Sequence, residues 1–110
     1  MVKVKEESVE AVEPQKFVET LKASKSTNPS KLAGAIVGIV QKNKGCEIIA
    51  IGAGPINQTI KAIAISNRLL GSSGVSISCK PCFTTLDLSN EKQDGKSEVT
   101  AILFKIIVDR

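Results

Sequence analysis

Residues 47–61 read EIIAIGAGPINQTIK, and the parsing of that stretch decides the fold. Ile48, Ile49, Ala50 and Ile51 make an apolar run that fits a buried strand. The run breaks at Gly52-Ala53-Gly54 and restarts as a helix opened by Pro55. A strand that turns through glycines into a helix leaves backbone N–H groups free at the helix start. The positive end of the helix dipole adds to them, so such a corner suits an anion such as a phosphate.

Downstream, the helix is expected over residues 55–70. Ile56, Ile60 and Ile63 form one apolar stripe on it, and Ala62, Ile65 and Leu69 form a second. Two stripes are more than one sheet can cover; a deep core helix is the plain explanation, and a subunit interface is the reading preferred here. Residues 71–74, GSSG, end the helix. A strand follows over residues 75–88, with Val75, Ile77 and Cys79 alternating against Ser76, Ser78 and Lys80. Pro81 cannot donate to a ladder, so it marks a bend, a bulge or an edge. Residues 89–97, SNEKQDGKS, read as a hairpin loop on Asp94-Gly95. Residues 98–108 return as a long apolar strand.

Upstream, Asn28 is a good N-cap and Pro29 suits the first helical position. Leu32, Ala35, Ile36, Ile39 and Val40 keep helical spacing. Gly34 and Gly38 cost helix propensity, which predicts close approach to a neighbour. Lys42 and Lys44 favour the helix C-terminus, and Gly45 is the expected stop. Residues 17–24, FVETLKAS, are the first strand, followed by a polar loop. The strand at residues 46–51, apolar on both faces after Glu47, should be central. The elements thus run β1 (17–24), α1 (from Pro29), β2 (46–51), α2 (55–70), β3 (75–88), β4 (98–108). That order makes a two-layer α/β domain, a four-stranded sheet with two helices on one face. Residues 16–110 form the domain. Residues 1–15 are charged and read as an acidic tail, although Val2 and Val4 suit annealing to a sheet edge.

The 110 residues carry a net charge of +4, unevenly spread. In the tail, Lys3 and Lys5 against Glu6, Glu7, Glu10 and Glu13 leave −2, so the rest carries +6. That balance permits contact with nucleic acid or an acidic surface, and equally suits plain solubilising lysines. Only three aromatics occur, all Phe, so the core must be aliphatic and base stacking is a poor binding mode. Three cysteines without a secretory signal suggest a reducing compartment, hence a cytoplasmic protein, nucleoid-associated or nuclear placement included. No apolar run approaches the roughly 20 residues that span a membrane.

Residues 52–58, GAGPINQ, echo a dinucleotide-binding turn but lack its third glycine and its acidic partner. A phosphate contact needs only backbone N–H groups and nearby lysines, whereas a plain connector needs neither. Cys79-Lys80-Pro81-Cys82 has the spacing of a redox or zinc half-site. With no histidine, Cys and His cannot complete a four-ligand zinc site, and a redox pair normally opens a helix. Structural cysteines and no metal are expected. Lack of histidine also excludes Ser-His and Cys-His nucleophiles, and no acid–base pair assembles, so a non-enzyme without cofactor is expected. Finally, Lys25 and Lys31 flank the loop before α1, Lys61 lies two turns into α2, and Lys92 and Lys96 decorate the hairpin. The loops after β1 and β2 should leave one sheet end, bringing Lys25 and Ser26 to Gly52-Ala53-Gly54.

From about Val18 to Val108 the chain resembles the stage V sporulation protein S family, small proteins with an Alba-like fold. The resemblance is carried by Leu21-Lys22-Ala23-Ser24, by Leu32-Ala33-Gly34-Ala35, by residues 47–58, by Lys61-Ala62-Ile63-Ala64-Ile65, and by residues 79–84. It implies an Alba-like β1-α1-β2-α2-β3-β4 domain with a mixed sheet. It also implies a homodimer, whose interface residues would be Ala62, Ile65, Leu69, Phe83 and Phe104. Alba-like proteins bind DNA or RNA through the β1–α1 loop, the β2–α2 turn and the β3–β4 hairpin. By position these are Lys25, Ser26 and Asn28; Gly52, Gly54, Asn57 and Gln58; and Lys92 and Lys96, with Lys31 and Lys61 alongside. Typical Alba proteins carry arginines at the β2–α2 turn, where this chain has Gly-Ala-Gly, so weaker or specialised binding is implied.

The expected function is a nucleic-acid-binding regulatory protein that contacts phosphate with little sequence readout. The alternative is a non-enzymatic structural or adaptor subunit of a larger assembly. A third reading is a sensor of a small anion or nucleotide at residues 52–54. The acidic tail can compete for the basic face or dock a partner protein.

Overall fold

The chain alternates as its apolar periods dictate: β1 (Val18–Ala23), α1 (Pro29–Gln41), β2 (Gly45–Ala50), α2 (Ala53–Leu70), a 3-10 turn at Gly71–Ser73, β3 (Ser76–Asp87) and β4 (Glu98–Asp109). These elements come from a computed structural model that describes residues 17–87 and 98–110. The sheet order is β1-β2-β4-β3. β1 and β2 are parallel, joined through α1, while β2–β4 and β4–β3 are antiparallel. Both helices cover one face, in the two-layer arrangement expected. Among the described residues no helix is long and apolar enough to cross a membrane.

Cys46, Ile48 and Ala50 alternate along β2 and face the helices. They meet Ala33, Ile36 and Val40 of α1, and Ala62, Ile63 and Leu70 of α2. The core is aliphatic, with Phe104 of β4 added. The helices touch through small residues. Buried Ser66 donates to the Ala62 carbonyl at 2.8 Å and reaches the Ala33 carbonyl at 3.4 Å. A hydroxyl that bonds its own helix needs no other partner, so it can be buried without penalty.

Several boundaries differ from expectation. Gly34 and Gly38 make no close approach, since a Cβ added at either meets nothing within 4 Å. Asn43, not Gly45, stops α1. It takes φ 61°, and the N–H groups of Asn43 and Lys44 bond the Val40 and Ile39 carbonyls at 3.0 and 3.2 Å. That is the Schellman pattern with Asn in the left-handed position. Arg110 adds to this end, donating to Val40 O at 3.2 Å and Asn43 Oδ1 at 2.8 Å. α2 starts at Ala53, two residues before Pro55. The two stripes drawn on α2 also dissolve. Its buried face is Thr59, Ala62, Ile63, Ser66 and Leu70, which leaves Ile60 and Leu69 about half exposed on opposite flanks. Ala62 and Phe104, expected at a subunit interface, lie inside this chain's own core, where no partner can touch them.

β3 is an edge strand, one of the three outcomes that Pro81 left open. The Asn67 side chain donates to Ile77 O at 2.9 Å and accepts from Ile77 N at 2.7 Å. An amide that pairs both main-chain groups stands in for a further strand. The same alternation puts residue 81 at an outward position, where a proline removes no ladder bond.

Candidate nucleic-acid interface

Ala23 and Ala50 are register partners, so β1 and β2 end side by side and their loops leave together. At the second loop, Gly52 caps α2 with φ 93° and ψ 168°, a region essentially reserved for glycine. A glycine offers no side chain, so nothing caps the helix. Its first internal bond runs from the Ile56 N–H to the Gly52 carbonyl at 3.2 Å. The N–H groups of Ala53 and Gly54 therefore have no acceptor within the helix, and Pro55 has none to offer. Gly52, Ala53 and Gly54 are all exposed.

The first loop folds over this corner. A Cβ placed on Gly54 would sit 3.1 Å from Lys25 Cβ, so only glycine allows that approach without displacement. Gln58 Nε2 donates to the Thr27 carbonyl at 2.7 Å and ties the loop to α2. The loop also braces itself. The Ser24 N–H donates to Thr27 Oγ1 at 2.7 Å, and the Ser24 and Ser26 hydroxyls lie 3.1 Å apart. Lys25 thus stands beside Gly54, as the topology argument required. The corner is open to solvent, and Lys25, Lys31 and Lys61 are exposed.

Two of the expected contact residues also have structural work. Asn28 Oδ1 accepts from the N–H groups of Ser30 and Lys31 at 2.8 and 3.3 Å, closing the start of α1. Gln58 holds the loop. Of the two helix starts at this sheet end, only that of α2 is left without a side-chain cap. Asn57 is exposed on the same side of α2 as Gly54 and Lys61, and Arg68, seven residues after Lys61, continues that stripe. Arg68 also lies in the last turn, where a cation complements the helix dipole.

Lys92 and Lys96 lie outside the described residues, but the strands that lead to them are clear. Ala50 pairs with Ile102, so β4 residues 98–101 and their β3 partners extend beyond the end of β2 on the corner's side.

Cys79 and Cys82 are three apart on one continuous strand, which aims them at opposite faces of the sheet. They cannot bond one another or share a ligand. Burial raises the Cys79 thiol, and burial together with Glu19 and Glu47 pushes Cys46 up to about 11. Glu19 is held below the usual carboxylate range by its hydrogen bond and charge pairing with Lys44, 2.9 Å away.

The family model described as Stage V sporulation protein S matches residues 19–109, nearly the whole domain from β1 to β4.

Proposed function

The chain belongs to the stage V sporulation protein S family, small sporulation-related proteins, and from that premise we propose that it binds nucleic acid as a regulatory protein, through phosphate contacts with little sequence readout. The observation that carries this reading is the uncapped, exposed start of α2 with Lys25 packed beside it. Unsatisfied N–H groups and an adjacent ammonium group match a phosphate and nothing about a base. Lys31, Lys61 and Asn57 widen the same surface, and β3 and β4 extend beyond the end of β2 on its side. In this reading the protein is not an enzyme, uses no cofactor, works in the cytoplasm or on the nucleoid, and acts as a homodimer on DNA or RNA.

The test is fluorescence anisotropy with a labelled duplex DNA and a labelled RNA, titrated between about 50 and about 200 mM salt. Affinity is expected to fall steeply with salt. Lys25→Glu should weaken it by a further ~3–10-fold, consistent with ~1 kcal/mol for one lost phosphate contact. Lys42→Glu, at the far end of α1, should leave it nearly unchanged. Binding to neither polymer at low salt, or affinity indifferent to salt, sinks the reading.

A second reading is favoured by one observation. Phe83 is 81% exposed beside Pro81 and Ile102, an apolar surface suited to protein contact. A structural or adaptor subunit would use that surface and leave the corner idle.

A further inference from the structure

The sheet face away from the helices carries a second charged feature, independent of the corner. Across it, Thr20, Glu47, Lys105 and Lys80 are successive register partners on β1, β2, β4 and β3. Lys80 and Lys105 therefore stand directly opposite one another, about 5 Å apart at Cα. Like charges so placed are destabilising. Among the described residues neither has an ion pair, and Glu47 does not close one with Lys105. Next to them is a shallow depression of about 410 Å³, lined by Val18, Gly45, Glu47, Lys105 and Ile107. Val18 and Ile107 are 36% and 47% exposed. Two ammonium groups against the one Glu47 carboxylate, beside a hollow that Val18 and Ile107 line without an aromatic ring, fit a segment of carboxylates and aliphatic side chains better than a nucleic acid.

The chain contains one such peptide. Residues 6–13 read EESVEAVE, four carboxylates interleaved with Val9 and Val12. They lie outside the described residues, but their attachment point does not. They join the domain at Phe17 and Val18, and Val18 itself lines the hollow. Glu13 is five residues from Val18, a reach of about 17 Å at most. Lys105 is two strands across and two residues along from Val18, about 12 Å away, and Lys80 is about 16 Å away. The corner at Lys25 lies at the other end of β1. A short tether raises the local concentration of the acidic segment at the nearer cations. We propose that residues 6–13 dock on the helix-free sheet face of their own chain, carboxylates toward Lys80 and Lys105 and valines toward Ile107.

The experiment uses the full chain, isotopically labelled, and compares it with a variant in which Glu6, Glu7, Glu10 and Glu13 are all changed to Gln. Those changes lie outside the described residues and alter no residue of the core. The amide signals of Gly45, Lys80, Lys105 and Ile107 are expected to shift, while those of Lys25 and Gly52 stay. Methyl contacts between Val9 or Val12 and Ile107 should be seen in the unmodified chain and lost in the variant. Lys80→Glu with Lys105→Glu should lose them too, and adding Glu10→Lys with Glu13→Lys should restore them. Unmoved sheet-face signals overturn the proposal, as do shifts at Lys25 and Gly52 instead. Mixing labelled with unlabelled chains separates contacts within a chain from those between copies, and contacts only between copies also overturn it.

Discussion

Gly34 and Gly52 are the same residue under opposite constraints. Gly34 sits exposed inside α1 with ordinary helical backbone and open space around it. Alanine there limits the unfolded chain and costs nothing in the fold, so Gly34→Ala should stabilise by about 0.5–1 kcal/mol. Gly52, at φ 93° and ψ 168°, occupies backbone space that a Cβ blocks, so Gly52→Ala should destabilise by about 1–3 kcal/mol. Urea titration of the two variants reads both signs, and a loss of stability at Gly34 or none at Gly52 would refute the assignment. The residue pattern alone does not separate them. Gly34 and Gly38, four apart, look like a packing seam, but the seam runs through Ala33, Ala62 and Ser66. Only the backbone angles reveal which glycine is obligatory. That Cys79 and Cys82 lie in a strand and not at a helix start was legible, and a strand aims residues three apart at opposite faces.

At the level of elements, the edges and ends of the sheet depend on side chains that imitate backbone. Asn67 pairs with both main-chain groups of Ile77, so Asn67→Ala leaves an N–H and a carbonyl without their partner. The expected cost is about 1–3 kcal/mol, with faster hydrogen exchange at the Ile77 amide. Asn67→Asp should also destabilise, since it presents a carboxylate to a carbonyl. Unchanged exchange at Ile77 in both variants would show that the pairing contributes nothing. A polar residue on a helix reads as solvent-facing, and nothing in its spacing announces an edge strand ten residues later. The start of α1 was plain from Asn28-Pro29, where cap and fixed φ agree. The end of α1 was misassigned, because Gly45 is the commoner stop and Asn43 took the left-handed position first. Gly45 instead begins β2 under Val18, where an added Cβ would lie 2.9 Å from Val18 Cγ2.

For the whole molecule, helix order, the shared loop end and the aliphatic core were all legible from period and composition. The strand order was not, since β4 slots between β2 and β3 through long-range pairing that no local pattern encodes. The same limit put Ala62 and Phe104 on an interface, when the complete sheet encloses them. Phe83, at 81%, is the more exposed of the two aromatics outside that enclosure among the described residues, the other being Phe17. If the protein pairs, Phe83→Ser should weaken self-association by roughly tenfold or more in sedimentation velocity, as loss of a central apolar anchor does. Equal masses at equal concentrations would remove Phe83 from any such contact. The strand order has a consequence in time as well as space. β2 lies between β1 and β4, and β4 is made last of the four, so during synthesis one flank of β2 stays unpaired until β4 emerges. The N-terminal half has no finished core to shelter in, and acquisition of protease resistance should come in one late step rather than in stages.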